Sequence, residues 1–452
     1  MDLDVNPDDL PHGDDRQLNV EPYWLPFTAN RHFKADPSPR ILVSAKGAYY
    51  RTAEGRELFD SLSGLWCCPI GHGHPRIVEA LTRQAQTLDY CTAFQMSNPV
   101  TLRLAERVAG MAPEGLDHVF FANSGSESVD TALKIALGYH RLRGEAGRFR
   151  MIGREKGYHG VGFGGMSVGG MIANRKMFAT AMIPGVDHLR HTHDYAEMAF
   201  SKGQPEWGGH LAEDLERLVA LHDAGTIAAV IVEPVQGSAG VIVPPLGYLQ
   251  RLREICTRYG ILLIFDEVIT GFGRMGAPFA AQRFGVTPDM ITFAKGITNG
   301  IVPMGGVIVR RDIYETFMQG PAGAVELFHG YTYSGHPLAA AVAHATLDVM
   351  EEEDLFARVR ELEGVLEAAV HGLRDEPGLR DIRNIGLTAA IDLEPWAEPG
   401  ARARAIFERG LREGILLRFT GDTIAMGPPF ISTPDEIRRM VEMLRGLIRA
   451  EP

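Results

Sequence analysis

The sequence predicts an α/β protein with a mostly parallel central sheet in a large domain, followed by a smaller α+β domain. Short, almost entirely apolar segments recur along the middle of the chain, as in strands that are covered on both faces. Segments with helical periodicity, such as 211–222 and 248–259, separate them and are long enough to cross over a parallel sheet. The segments that we interpret as core strands are 117–122, 227–232, 261–265 and 290–294.

An irregular arm and a hairpin precede the sheet. The start of the chain is rich in Pro, Asp and Asn, a composition typical of irregular structure. Residues 48–59 place a Glu-Gly turn between two segments rich in β-forming residues, which is the pattern of a hairpin. We assign residues 1–74 to the arm and part of the small domain, and residues 75–335 to the large domain.

The remainder, residues 336–452, is predicted to form the C-terminal small domain. It opens with one long helical pattern over 338–373 and continues with short strands. A last helix is predicted over 433–450, because Thr433 and Pro434 supply an N-cap and a first-turn proline.

The composition is that of a globular protein and excludes several classes of function. Apolar residues make up 45% of the chain and charged residues 23%. The 51 glycines follow no G-X-Y period, so the chain is not collagen-like. A net charge of -12 repels both nucleic-acid backbones and anionic membranes. We therefore expect no nucleic-acid partner and no membrane partner.

Targeting and redox signals indicate a cytoplasmic protein. The acidic first residues lack the basic and apolar regions of a signal peptide, and no apolar run approaches the roughly 20 residues of a membrane helix. Cys67, Cys68, Cys91 and Cys256 form neither a CxxC pair nor a spaced disulfide framework. Reduced thiols are therefore expected.

Polar residues follow three of the predicted strands at the sheet edge where ligands bind in open parallel sheets. Glu233, Asp266 and Lys295 each come directly after an apolar run. Their spacing is roughly 30 residues, about one βαβ unit. The three side chains should therefore lie along one edge of the sheet.

Together with a nearby turn, these residues indicate pyridoxal 5'-phosphate chemistry. Desolvation at the mouth of a buried sheet lowers the pKa of a lysine such as Lys295 and permits Schiff-base formation. Asp266 could keep a pyridine nitrogen protonated. The segment 123–127 leads from a strand into a helix, whose amino-terminal amides bind phosphate. Each feature alone has a commoner explanation, namely a surface lysine, a structural carboxylate or an ordinary turn.

Several segments resemble those of the class III, subgroup II aminotransferases among the fold-type I pyridoxal-phosphate enzymes. The resemblance extends from about Tyr23 to Arg449 and implies the fold-type I transferase fold. The segments that carry it are NSGSES (123–128), GYHG (157–160), EPV (233–235), LLIFDEVITGFGRMG (262–276) and FAKGITNG (293–300).

Within this class, other segments resemble the omega-amino acid:pyruvate (β-alanine:pyruvate) transaminase branch. That branch implies ping-pong transfer of an amino group from an omega-amino acid or primary amine to pyruvate, giving an aldehyde or ketone and alanine. It also implies a homodimer or homotetramer with shared active sites. A 2-oxoglutarate-dependent aminotransferase, an aminomutase and a decarboxylase are the alternatives within the class. The segments are WLPFTANRHFK (24–34), LSGLWCCPIGHG (62–73), GYHGVGFGGMSVGG (157–170), HGYTYSGHP (329–337) and RFTGDTIAMGPP (418–429).

The resemblance implies a role for each site residue. Lys295 would hold pyridoxal phosphate and shuttle the proton, while Asp266 would pair with the pyridinium nitrogen. The remaining cofactor contacts that it implies are Gly125 and Ser126 at the phosphate, Tyr158 and Val268 on the two ring faces, His159, Glu233, and Thr332 from the neighbouring subunit. The implied substrate contacts are Trp24, Trp66 and Tyr158 as pocket walls and Arg418 at the substrate carboxylate.

The residues alone allow two interpretations of Arg418. A guanidinium suits bidentate binding of a carboxylate, but an arginine after an apolar run is equally typical of the exposed face of an edge strand. A donor without an α-carboxylate must share the pocket with a keto acid. We therefore expect either that Arg418 moves or that the pocket has one large and one small side.

Two further motifs match other enzyme classes, and the sequence disfavours both. Gly160, Gly162 and Gly165 satisfy the G-x-G-x-x-G pattern of dinucleotide-binding proteins. Residues 165–169 satisfy the G-x-S-x-G pattern of serine hydrolases, with Ser167 as the nucleophile. Neither motif directly follows an apolar strand, as both functions require. A serine hydrolase remains a remote alternative.

Three closely spaced histidines could be interpreted as ligands of a metal ion. His188, His191 and His193 lie in a segment of loop-like composition without a pattern of carboxylates that would complete a ligand set. We interpret them as part of a polar surface loop and predict no metal.

Overall fold

The computed structural model describes residues 18–451. Its strands are β1 (Leu42–Lys46), β2 (Tyr49–Thr52), β3 (Glu57–Asp60), β4 (Leu116–Ala122), β5 (Arg150–Arg154), β6 (Val186–Leu189), β7 (Ile227–Val232), β8 (Leu262–Asp266), β9 (Met290–Ala294), β10 (Gly305–Arg310), β11 (Leu379–Ile385), β12 (Thr388–Leu393), β13 (Ile415–Leu416), β14 (Arg418–Thr420) and β15 (Thr423–Met426).

The α-helices are α1 (Asn30–Ala35), α2 (Ser63–Trp66), α3 (Pro75–Thr87), α4 (Pro99–Met111), α5 (Gly125–Leu142), α6 (Phe163–Val168), α7 (Ile172–Met177), α8 (Tyr195–Met198), α9 (Asp214–His222), α10 (Tyr248–Tyr259), α11 (Ala280–Phe284), α12 (Arg311–Phe317), α13 (Pro337–Glu352), α14 (Leu355–His371), α15 (Ala401–Glu413) and α16 (Pro434–Ala450). Short 3-10 helices occur at Ser38–Arg40, Ala179–Ala181, Gly209–Glu213, Ala224–Thr226 and Lys295–Thr298.

A seven-stranded sheet forms the centre of the larger domain, in the order β4-β10-β9-β8-β7-β5-β6. Only β10 runs antiparallel to its neighbours β4 and β9, and the other adjacent pairs are parallel. Strands β7, β8 and β9 are buried at every position. The predicted mostly parallel sheet is confirmed. The sequence prediction missed β10, which begins with Gly305 and Gly306, a pair that usually signals a turn.

The predicted core strands match β4, β7, β8 and β9 to within one residue at each end. The predicted helix 248–259 is α10, whereas the segment 211–222 begins as a 3-10 turn and becomes helical only as α9. Helix α5 starts at Gly125, within the segment 123–127 that was predicted to lead from a strand into a helix. The predicted hairpin is the β2–β3 pair.

A separate sheet joins the two ends of the described chain. Strands β1, β2, β3 and β13 lie in that order, and β13 pairs with β3 in parallel. Part of residues 1–74 therefore shares a sheet with the C-terminal segment, and its assignment to the small domain stays a prediction. The predicted arm is irregular only in part, because α1 and a 3-10 turn lie within it. Residues 1–17 of the arm are outside the described residues.

The long helical pattern 338–373 is two helices, so the single helix suggested by the sequence is wrong. Asp354 separates α13 from α14 with a left-handed backbone, φ 47°. Helix α13 packs on α3 and α4, whereas α14 packs on α16 and on the antiparallel sheet β11-β12-β15-β14. The last helix, α16, is capped by Thr433 as predicted, with Glu436 completing a capping box. We keep the domain division at 335/336 as a proposal.

The histidine segment 188–193 is not the polar surface loop that the sequence suggested. Its first two residues end β6, and His193 is buried with Nε2 3.0 Å from Asp381 Oδ2. His193, Asp381 and Asp392 converge as ligands of a cation could. The guanidinium of Arg383 already donates to both carboxylates at 2.7–2.9 Å. These groups therefore form a buried ion-pair network, which sequence reasoning missed because its members are far apart in the chain.

No helix within residues 18–451 is long and apolar enough to cross a bilayer. The four cysteines are free thiols, as expected. The acidic start of the chain, on which the cytoplasmic prediction partly depends, lies outside the described residues.

Candidate active site

A cavity of about 1050 Å³ opens at the carboxyl ends of β7, β8 and β9. Glu233, Asp266 and Lys295 all line it, as their positions after successive strands predicted. Lys295 is the only lysine among the lining residues of the described chain. The fold therefore brings together the three side chains that the sequence placed on one sheet edge.

Lys295 presents an amine without a partner to this cavity. It ends β9 and begins a 3-10 turn with a left-handed backbone, φ 51°. Among residues 18–451, no side chain or carbonyl forms a hydrogen bond or ion pair with its Nζ. Burial lowers the pKa of Lys295, while Cys67 and Asp266 oppose the shift and Arg418 adds to it. The amine is therefore more readily neutral and nucleophilic than a surface lysine.

Asp266 is a buried carboxylate held in a fixed orientation. Its Oδ2 lies 2.7 Å from Nδ1 of His159. Its Oδ1 accepts hydrogen bonds from the Thr292 hydroxyl at 3.1 Å and the Val268 amide at 3.2 Å. The Nε2 atom of His159 is buried without a hydrogen-bond partner among the described residues. An oriented carboxylate of this kind can pair with a protonated ring nitrogen that enters the cavity.

The amino terminus of α5 offers a site for an anion. Its first residues, Gly125 and Ser126, line the cavity, and first-turn amides of a helix have no partner within the helix. Ser126 Oγ accepts a hydrogen bond from the Val161 amide at 3.0 Å. Gly160 approaches so closely, with φ 88°, that a Cβ there would lie 2.4 Å from Ser126 Oγ. Only glycine permits this contact between the loop and the helix.

Glu233 supports the loop that carries Tyr158. Its Oε1 accepts from the Tyr158 amide at 2.9 Å and its Oε2 from the Gly237 amide at 3.1 Å. Burial raises the pKa of Glu233 to about 7, although His159 opposes the shift. The Tyr158 side chain faces the cavity, as does that of Val268. In this structure Glu233 therefore orients the Tyr158 loop, with no hydrogen bond to Lys295.

Arg418 points into the cavity from β14, so it is not the exposed edge-strand charge that the sequence also allowed. Burial lowers the pKa of its guanidinium, and the nearby Tyr158 opposes the shift. No carboxylate of the described chain pairs with it. A buried guanidinium without a partner is available for a carboxylate ligand.

Two predicted residues lie outside the cavity of this chain. Trp24 is 87% exposed and lines no part of it, whereas its neighbours Leu25 and Phe27 do. The prediction that Trp24 forms a wall of the pocket is therefore wrong for the pocket of a single chain. Thr332 is also exposed and remote from the cavity, so the predicted contact would have to be made in a neighbouring subunit.

Trp66 does line the cavity, from the short element α2, which is a left-handed turn and not a right-handed helix. The sequence did not reveal this conformation. Ser63, Gly64, Leu65 and Trp66 all have positive φ, between 50° and 70°. The Cys67 amide donates to the Ser63 carbonyl at 2.8 Å, which closes one left-handed helical turn. Such a conformation costs about 1–2 kcal/mol for each residue other than glycine. Strained segments of this kind persist only where their surroundings hold them.

Sequence reasoning also missed the mouth of the cavity. Its outer wall includes charged side chains from α1 and α15, such as His32, Arg404 and Glu408. His32 Nε2 lies 2.6 Å from Glu408 Oε1. Arg404 and Glu408 belong to a segment that carries no motif, and His32 lies far from them in the sequence, within the segment 24–34. Only the fold could therefore place the three together.

The two motifs that match other enzyme classes do not form functional sites. The glycines of the G-x-G-x-x-G pattern lie beyond a loop that separates them from β5, so no strand leads directly into them. Ser167 is buried away from the cavity, where its hydroxyl donates to the Phe163 carbonyl at 2.6 Å and accepts from the Ile183 amide at 2.9 Å. It has no base and no access to a substrate, which removes the basis for a serine hydrolase.

Comparisons with known proteins agree with this geometry. A family model described as aminotransferase class-III matches residues 32–448. An omega-aminotransferase of Caulobacter vibrioides is 57% identical over 95% of this chain and 98% of its own length. A beta-alanine–pyruvate aminotransferase of Pseudomonas aeruginosa is 49% identical over 94% of this chain and 95% of its own length. A solved (S)-enantioselective omega-transaminase from Thermomicrobium roseum superposes with a TM-score of 0.88 at 35% identity, covering 95% of this chain and 96% of that one.

Proposed function

Because this chain belongs to the class III aminotransferase family, we propose that it transfers an amino group from an omega-amino acid or a primary amine to pyruvate. The products are an aldehyde or ketone and alanine. The observation that supports this most directly is the unpartnered Lys295 amine, which shares a cavity with the oriented Asp266 carboxylate and the free Arg418 guanidinium. The names of the relatives that use β-alanine and pyruvate support the choice of substrates.

The residues of the cavity fit pyridoxal 5'-phosphate. Lys295 would hold its aldehyde carbon covalently, and Asp266 would pair with its ring nitrogen. The other proposed contacts are Gly125 and Ser126 at the phosphate, Tyr158 and Val268 on either side of the ring, and Glu233 and His159 as supports. When bound, the cofactor supplies an electron sink for charge that develops on the substrate carbon.

The chain itself contributes proton transfer, orientation and binding. Once the donor has displaced it, the Lys295 amine would be free to take a proton from the carbon that bears nitrogen and to return it. Burial lowers the pKa of Lys295, which favours the neutral form of Nζ that this step needs. The hydrogen bond from His159 keeps the Asp266 carboxylate turned toward the ring nitrogen. Arg418 would bind the carboxylate of pyruvate, in line with its lack of any other partner.

Donors without an α-carboxylate must enter the same cavity. We propose that Arg418 turns toward the mouth when such a donor binds, which removes its charge from the apolar walls formed by residues such as Trp66 and Phe419. This movement would let one pocket serve both half-reactions.

A pair of half-reactions tests this function against the other class III activities. Protein loaded with pyridoxal phosphate is first reacted with β-alanine and then given either pyruvate or 2-oxoglutarate. We expect alanine to form and little glutamate. Faster formation of glutamate would instead indicate a 2-oxoglutarate-dependent enzyme. Formation of ethylamine, or of alanine from β-alanine when no acceptor is added, would indicate a decarboxylase or an aminomutase.

We propose a homodimer, or a homotetramer built from it, in which Thr332 of one subunit completes the phosphate site of the other. Large apolar side chains exposed on this chain support an interface, since extended apolar patches usually mark contacts between proteins. They include Tyr23, Trp24, Phe27, Phe94, Phe328 and Tyr333, each more than half exposed. An active monomer in sedimentation experiments would contradict the shared site.

Valine in place of Gly125 is expected to weaken cofactor binding while leaving the fold intact. A Cβ at this position would lie 2.9 Å from Cγ1 of Val268, so the branched Val268 side chain, which lines the cavity beside the proposed ring site, must shift. Overpacking of this kind costs about 1–3 kcal/mol, or roughly tenfold or more in affinity. Fluorescence titration of the apoprotein with pyridoxal phosphate measures the change.

Gly364→Val is the matched control, because the space around Gly364 in α14 is open. It should bind the cofactor as the parent does. Equal affinity of Gly125→Val and Gly364→Val for pyridoxal phosphate would contradict the proposed position of the phosphate and ring.

A further inference from the structure

The left-handed turn Ser63–Trp66 presents part of the substrate cavity, and two buried charged residues hold it from opposite sides. Leu65 and Trp66 line the cavity from this turn. Because an isolated chain would not adopt four consecutive left-handed residues, the position of Trp66 depends on what surrounds the turn. Asp60 and Arg274 are the charged residues that contact it.

Asp60 holds the beginning of the turn. It is fully buried, and its Oδ1 accepts from the Leu62 amide at 3.1 Å. Its Oδ2 accepts from the Gly64 amide at 2.6 Å and lies 2.9 Å from Nε2 of His72. One carboxylate thus binds two backbone amides. In a right-handed helix these amides would point along the helix axis. Gly64 itself leaves little room, since a Cβ there would lie 2.9 Å from the Cys68 sulfur.

Arg274 holds the other side of the turn. Its guanidinium donates to the Ser63 hydroxyl at 3.1 Å and to the Pro428 carbonyl at 2.8 Å. It is 2% exposed and forms no ion pair with any carboxylate in residues 18–451. Burial lowers the pKa of Arg274 to about 9, and the negative charge of Asp60 opposes that shift. Burial of an unpaired guanidinium is costly, so its retention here calls for an explanation beyond stability.

The same guanidinium lies against the ring of Trp66. Its Cζ is 5.7 Å from the Trp66 ring centroid. Gly427 packs on the ring so closely that a Cβ there would lie 2.1 Å from Cζ3 of the indole, and the Ser63 hydroxyl also donates to the Gly427 carbonyl at 2.7 Å. Trp66 is only 3% exposed as a result. One side of the ring is therefore fixed, and the indole that lines the cavity has little freedom to move.

We propose that Asp60 and Arg274 act as a clamp on the turn Ser63–Trp66 and thereby determine which amine donors the cavity accepts. Both are positioning residues, since neither lines the cavity. The inference rests on the proposed transamination for its substrate, but the clamp itself is a property of the folded chain. Release of the clamp should let Leu65 and Trp66 shift, so the cavity would lose its discrimination against bulky donors.

Arg274→Met and Arg402→Met form a matched pair for the test. Arg402 is likewise buried, at 1% exposed, and donates to backbone carbonyls such as those of Gly378 and Glu451. It lies outside the cavity lining. Both variants lose a buried guanidinium and are expected to lose stability, which thermal unfolding measures. Only Arg274→Met removes a contact to the turn.

The kinetic readout is the ratio of kcat/KM for 1-phenylethylamine to that for β-alanine, with pyruvate as acceptor. We expect Arg274→Met to raise this ratio about tenfold, the order of discrimination that the shape of an apolar pocket supplies. Arg402→Met should leave it unchanged. Ser63→Ala, which removes only the hydroxyl between Arg274 and the turn, should shift the ratio in the same direction by less, and Arg274→Lys should restore part of the parental value.

A second readout needs neither cofactor nor activity. Trp66 is one of four tryptophans, and substitution of Trp24, Trp207 and Trp396 by phenylalanine leaves it as the only one. Acrylamide should quench its fluorescence weakly in this background and severalfold more strongly when Arg274→Met or Ser63→Ala is added. Arg402→Met should not change the quenching.

The outcomes separate the clamp from the proposed function. If the parent protein transaminates no donor, the function is wrong, and the fluorescence experiment still decides the clamp. Unchanged protection of Trp66 in Ser63→Ala and Arg274→Met would overturn it. An unchanged donor ratio in active Arg274→Met, or an equal shift in Arg402→Met, would overturn the role in donor choice. Should Arg274→Met fail to fold, Ser63→Ala alone supports or refutes the clamp by the same two readouts.

Discussion

Alanine in place of Lys295 is expected to abolish transamination and to remove covalently bound cofactor. Within residues 18–451, the variant loses the only lysine amine that lines the cavity. It loses both the group that would hold pyridoxal phosphate and the group that would move the proton, so the rate should fall by at least roughly 10⁴-fold. Formation of alanine from β-alanine and pyruvate measures the activity. The visible absorption band of the lysine-bound cofactor, which borohydride reduction abolishes, measures the covalent link.

Lys202→Ala is the control for this experiment, because Lys202 is exposed and lies outside the cavity. It should keep both the activity and the band. A Lys295→Ala protein that retained a borohydride-sensitive visible band would show that another amine carries the cofactor. A parent protein that stayed colourless after incubation with pyridoxal phosphate would contradict the proposed cofactor altogether.

Alanine in place of Arg418 is expected to impair the use of pyruvate much more than the use of a donor without a carboxylate. Hydrogen bonds to charged groups contribute about 1.5–3 kcal/mol, so loss of a bidentate contact should lower kcat/KM for pyruvate by about 100-fold. The reaction of the enzyme with 1-phenylethylamine, followed alone as a half-reaction, should change by far less. The two half-reactions are measured separately by the cofactor absorbance.

Arg404→Ala controls for a general effect of positive charge, since Arg404 lies at the mouth of the same cavity. We expect it to leave the constants for pyruvate close to those of the parent. Arg418→Lys should recover only part of the loss, because an ammonium group cannot bind a carboxylate through two parallel donors. An unchanged KM for pyruvate in Arg418→Ala would assign carboxylate binding to another residue.

The strand ends were the most predictable part of this protein. A strand covered on both faces must be apolar throughout, so its end is marked in the sequence by the first polar residue. Asp266 and Lys295 could be located in this way, and the parallel topology then required them to share a sheet edge. The helix α16 was equally predictable, because its cap, its first-turn proline and its apolar face are all local features.

The sequence predictions failed where a local pattern was compatible with more than one tertiary arrangement. The periodicity of 338–373 is continuous, yet Asp354 interrupts it, and α13 packs against α3 and α4 whereas α14 packs against α16 and β11. Trp24 belongs to a segment that resembles pocket-forming residues, but in this chain its side chain faces outward. In both cases the residue type was compatible with the prediction. The neighbouring residues in the sequence, however, do not indicate in which direction the element or side chain packs.

The sequence by itself predicted the fold class and the residues at the strand ends, because burial and topology translate directly into local composition. The tertiary structure alone decided how those residues are oriented. The pairing of His159 with Asp266 spans 107 positions, and the hydrogen bond from Arg274 to Ser63 spans 211. Contacts over such separations depend on how whole elements pack, and short sequence patterns carry no information about that packing. For this reason the sequence predicted that a lysine, a carboxylate and an arginine belong to the site, whereas only the fold shows the shape of the cavity proposed to bind the donor.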